Sequence, residues 1–88
     1  MPRFYFDLSI GSAFSHDEVG YEVDSLHAAG IEAMRSAGQL TQDRLFQLQR
    51  ATSEDIRVEV RDEHRQPVLT VTVSIQVDHK ALMPPVLM

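Results

Sequence analysis

The stretch from Ser15 to Ser25, S-H-D-E-V-G-Y-E-V-D-S, sets His16, Asp17, Glu18, Glu22 and Asp24 ahead of a helical pattern. Carboxylates and an imidazole are donors for a divalent cation, so a metal-dependent enzyme is one chemistry these letters could serve. The spacing speaks against it. A calcium loop needs acidic or amide residues at alternating positions, a central glycine and a terminal glutamate, and this stretch has no such register. A turn and a helix cap account for more of the letters. Asp17 and Glu18 end a hairpin, Gly20 relieves a turn or bulge, and Asp24 or Ser25 caps the helix, with Glu22 and Asp24 near its positive end.

The four histidines, His16, His27, His64 and His79, show no pair with zinc-site spacing. There is no cysteine and no strand-turn-helix serine, so nucleophilic hydrolysis has no starting point. No glycine-rich loop is present to cradle a phosphate. The sequence therefore predicts no catalytic residue, no cofactor and no bound metal.

The elements around this stretch follow from periodicity. In Arg3 to Ile10, Phe4, Phe6, Leu8 and Ile10 alternate with Tyr5, Asp7 and Ser9, the pattern of a half-buried strand. Gly20 to Val23 reads as a return strand. From Leu26 the period becomes helical, with Leu26, Ala29, Ala33, Ala37, Leu40, Thr41, Arg44 and Leu48 on one stripe and an expected end near Arg50. Alternation resumes in Ile56 to Asp62 and in Pro67 to Asp78, separated by a polar turn. The expected fold is α+β, β-β-α-β-β, with one long helix on a four-stranded antiparallel sheet, residues 1–78 forming one domain and 79–88 an apolar tail. The last strand is the longest, so it is expected to be central or to pair across a dimer.

The chain has 88 residues, enough for one domain but with limited room for a core, and it has no disulfide to compensate. Association into a homodimer is the remaining common remedy. The formal charge is −5, and all of it falls in residues 1–32, where six acids face Arg3 alone. That balance argues against nucleic acid, whose footprint is built from Lys and Arg. The opening residues lack the apolar run of a signal peptide and nothing reaches the length of a membrane span, so a cytoplasmic location is expected by default.

The chain resembles a family of small bacterial domains of unknown function, common in rhizobia and their relatives. The resemblance rests on Pro2-Arg3-Phe4-Tyr5-Phe6-Asp7, on Asp17-Glu18 with Gly20 and Glu22, on Asp24-Ser25-Leu26 leading into Ala28, Ala29, Glu32 and Ala33, and on Val58-Glu59-Val60-Arg61-Asp62 with Pro67-Val68-Leu69. It implies no activity, ligand or catalytic residue. The family pattern tends to a glycine in the last hairpin turn, where this chain has Glu63-His64-Arg65-Gln66.

Two surfaces remain as candidates. Ile31 and Phe46 swing away from the buried stripe of the helix, either as ordinary exposed apolar residues or as a contact with a second chain, and the tail carries Leu82, Met83, Val86 and Leu87, which could lie along its own core, along a sister subunit or in another protein's groove. The open sheet face, with Tyr5, Arg57, Arg61 and Thr72, is the alternative site, for a nucleic-acid-associated regulator. Only one aromatic is available there for stacking and Glu59 sits among the arginines, which favours cross-strand ion pairing. The reading that emerges is a non-catalytic binding or regulatory module.

Overall fold

The computed structural model describes residues 1–47 and 52–77. The elements run β1 (Arg3–Ile10), β2 (Ala13–Ser15), β3 (Tyr21–Glu22), α1 (Leu26–Gln47), β4 (Thr52–Arg61) and β5 (Pro67–Val77). The fold is α+β, one long helix on an open antiparallel sheet, in the order β-β-β-α-β-β.

One strand more than expected arises because the return strand is split. Both β2 and β3 pair with the same edge of β1, β2 along Leu8–Ile10 and β3 along Arg3–Phe4. The other edge of β1 pairs with β4, and β4 with β5, giving the order β2-β1-β4-β5 with β3 beside β2. The longest strand is therefore at the edge and not at the centre. Its neighbour β4 takes the centre because its inward residues Ile56, Val58 and Val60 are all fully buried, each worth roughly 1.5 to 3 kcal/mol relative to exposure.

The helix begins where a cap allows it: the Ser25 hydroxyl accepts the Ala28 N–H at 3.1 Å. It meets the sheet through Ala29, Ala33 and Ala37, which join Phe4, Phe6, Val58 and Val60 in the core. Methyl-sized contacts let the helix lie close to β4 and β5. Arg44, on the stripe expected to be buried, does point inward, and Glu54 of β4 receives it bidentately at 2.8 and 2.9 Å. Leu26, by contrast, is 48% exposed. Leu48 and the end of the helix near Arg50 lie outside the described residues.

The last turn solves its missing glycine with an arginine. Arg65 adopts φ of 66°, the left-handed region, which costs a non-glycine residue roughly 1 to 2 kcal/mol. Asp62 offsets that strain: its Oδ1 accepts the N–H of His64 at 2.8 Å and of Gln66 at 3.0 Å. A bulge follows, since Val60 pairs with Leu69 but Arg61 pairs with Pro67.

Candidate functional site

The alternation of β1 places Asp7 on the outward sheet face, yet it is only 4% exposed. Arg61 of β4 lies across the sheet and forks onto it, Nε to Oδ2 at 2.8 Å and an η-nitrogen to Oδ1 at 3.1 Å. The His16 Nδ1 stands 3.3 Å from Asp7 Oδ1 and the Asp17 N–H donates to that same oxygen at 2.9 Å. Arg61 continues to the Asp17 carbonyl at 3.4 Å and lies above Tyr5, whose ring also carries the Arg65 guanidinium at 4.3 Å.

Asp17 is the second organising carboxylate. Between the segments of β1 paired to β3 and to β2, the Phe6 N–H has no strand opposite it and donates instead to Asp17 Oδ2 at 3.0 Å. The other oxygen accepts Val19 N–H at 3.1 Å and Gly20 N–H at 2.9 Å. One side chain thus supplies acceptors that a continuous strand would have supplied. The turn-and-cap reading of Ser15 to Ser25 holds for Gly20, which takes φ of 68°, and for Ser25. The bonds that Asp7 and Asp17 make were not legible from spacing.

Burial raises the pKa of Asp7, but the Arg61 hydrogen bond, the Asp17 N–H and the charges of Arg61 and His16 outweigh it, so the carboxyl stays below its ordinary value. Asp17 is held low in the same sense: burial pushes it up, and the N–H groups of Gly20, Phe6 and Val19 pull it down further. Folded values below the unfolded ones mean these carboxylates stabilise the fold fully above the unfolded pKa, about 3.9 for Asp, and lose that contribution as pH falls through the folded values. Urea unfolding at pH 6 and pH 3 is expected to show a lower midpoint in acid. The variant Asp17→Asn should narrow the difference, and an unchanged midpoint at pH 3 would contradict the assignment.

Chemically, this network is satisfied. Both Asp7 oxygens accept hydrogen bonds, Oδ2 from Arg61 and Oδ1 from Arg61 and the Asp17 N–H, which holds the carboxylate in one orientation. Among the described residues no group of three or more His, Asp or Glu side chains is arranged to hold a metal ion.

The open face also differs from its expected form. Arg57 and Thr72 are exposed and Tyr5 is half-buried, but the Arg61 side chain is 12% exposed and engaged with Asp7. The structure does not bring Arg57 and Arg61 together as a free basic pair.

The helix carries the apolar surface. Ile31 is 42%, Met34 58%, Leu45 49% and Phe46 81% exposed. Ile31 and Phe46 are not neighbours; fifteen residues of helix separate them by roughly 22 Å. Ile31 lines an open groove of about 390 Å³ with Met1, Tyr21 and Val23. Met34 and Leu45 fall on another stripe, with Gly30, Gly38 and Thr41, along the flank that borders β5: a Cβ at Gly30 would lie 3.3 Å from Leu69. Leu82, Met83, Val86 and Leu87 lie outside the described residues. No described helix is long and apolar enough to cross a membrane.

A helix on an open antiparallel sheet defines a small α+β domain. The chain belongs to the family described as Domain of unknown function (DUF6894), whose model matches residues 3–74. No curated protein and no solved structure matches the chain.

Proposed function

We propose that this chain is a non-catalytic module of the cytoplasm that works through protein–protein contacts as a homodimer. The observation that carries the reading is the inversion of its helix. Alanines face the core, while Ile31, Met34, Leu45 and Phe46 face outward. A surface helix normally buries its large apolar side chains and exposes its small ones. Apolar surface left outside in this way marks a contact site in a folded chain. The engagement of Asp7, the one buried carboxylate among the described residues, with Arg61 supports the non-catalytic part, since a carboxylate held in an ion pair is a weaker base.

Light scattering across concentration tests this. The expected mass is twice the 10.0 kDa of the chain, and replacing Met34 and Leu45 by serine should shift the protein toward monomer while preserving its circular dichroism. A monomer at every concentration up to near-millimolar would overturn the dimeric reading. The use of Arg57 and Arg61 against nucleic acid has less support, because the Arg61 guanidinium would have to leave Asp7 buried and unpaired.

A further inference from the structure

We infer that two copies of this chain join through the outer edges of β5, strand against antiparallel strand, so that the two sheets become one; this rests on the dimeric reading above and assigns its interface. Three observations converge on that edge.

First, β5 is 11 residues long and ends the sheet, and no described strand pairs with its outer side. Folded proteins blunt such edges with lysine, proline, bulges or shortness. Here Pro67 and the bulge lie at the start of the strand, and Leu69 to Val77 continues without proline.

Second, the edge is charge-free in a chain that is 24% charged and carries −5 overall. Pro67 to Val77 has no Asp, Glu, Lys or Arg, and neither does the adjoining helix stripe of Gly30, Met34, Gly38, Thr41 and Leu45. Two copies of an acidic chain repel one another, so self-association requires a surface of this kind. A basic or acidic partner would find nothing here to pair with.

Third, the surface is the right size and only half covered. Leu69, Val71 and Val73 pack against the core but stay only partly buried, and Met34 and Leu45 are exposed on the helix stripe that starts at Gly30, beside Leu69. A strand of this length runs roughly 35 Å, and a sheet plus helix flank is about 15 to 20 Å tall, giving on the order of 500 to 700 Å² per copy. The sum approaches the roughly 1,200 to 2,000 Å² of stable specific interfaces, so a concentration-dependent dimer is expected.

The strand is also self-complementary. Thr72 is its midpoint, so a two-fold axis there sets Thr72 against the partner's Thr72, Thr70 against the partner's Ser74, Val71 against the partner's Val73, and Leu69 against the partner's Ile75. Hydroxyls meet hydroxyls on the outer face and branched apolar side chains meet their like on the inner face.

The test uses the full chain with two triple substitutions on exposed positions, T70K/T72K/S74K and T70E/T72E/S74E. Each sets three like-charged pairs across the axis and should weaken self-association by about tenfold or more, with circular dichroism little changed. Mixing the two should restore association as a heterodimer. Single T72K serves if a triple variant misfolds, with a several-fold loss expected. Light scattering that finds the lysine variant dimerising as tightly as the natural chain overturns the β5 interface and leaves the dimer standing. A natural chain that is monomeric throughout overturns both. Variants that are each monomeric yet fail to associate when mixed overturn the proposed register.

Discussion

Replacing Asp7 with alanine is expected to lower the unfolding free energy by about 3 to 5 kcal/mol, the usual cost of breaking a buried ion pair from one side. The loss does not come from the attraction alone. Arg61, 12% exposed, would keep its charge over Tyr5 and beside the His16–Asp17 segment with no carboxylate to receive it. The Asp17 N–H would lose its acceptor as well. Removing both charges should cost much less: Asp7→Leu with Arg61→Met exchanges the pair for apolar volume, and such exchanges are often near neutral. Denaturant unfolding of wild type, both single variants and the double variant measures the coupling. A single Asp7→Ala loss below about 1 kcal/mol would place the pair among weak surface bridges instead.

Gly20→Ala should be nearly as damaging, about 2 to 4 kcal/mol, while Gly38→Ala should stabilise by about 0.5 to 1 kcal/mol. The two glycines differ in what surrounds them. At Gly20 the backbone is left-handed, and an added Cβ would stand 2.7 Å from the Phe4 carbonyl oxygen and 2.9 Å from the Tyr5 ring. The carbonyl belongs to a strand paired on both sides and cannot yield. At Gly38 nothing lies within 4 Å and the residue is inside a helix, so the methyl only removes freedom from the unfolded chain. Thermal melts of the two variants should therefore move in opposite directions, and a shared sign would contradict this account.

Much of the fold is legible in the chain, and the reasons are physical. β1, β4 and β5 are visible because one face of each is buried or half-buried, which forces alternation on Phe4, Phe6, Val58, Val60, Leu69 and Val71. β2 is not, because Ala13, Phe14 and Ser15 are all exposed and carry no pattern. Strand order is hidden as well, since length leaves β5 either central or paired across a dimer, while burial puts β4 at the centre. The candidate site is less legible still. Alternation assigns Asp7 to the solvent face, and only the register of β1 with β4, which sets Tyr5 beside Arg61 and Asp7 beside Glu59, brings the guanidinium diagonally within reach. A lone acid inside an aromatic-rich strand, with an arginine in a second strand, was the available signal. Ile31 and Phe46 fall outward as the helical period has them, but that period does not say that the fully buried helix residues would all be alanines.

The Asp17 carboxylate does more than close a gap. Because it holds Phe6 on one side and Val19 and Gly20 on the other, it ties the turn leading into β3 to β1 across the gap between the two paired segments. The register of β1 against β4 is set elsewhere, by six consecutive pairs from Tyr5 to Ile10. The alignment of the sheet therefore does not depend on this corner, whose own spacing from Asp17 to Gly20 is fixed by the Asp17 carboxylate.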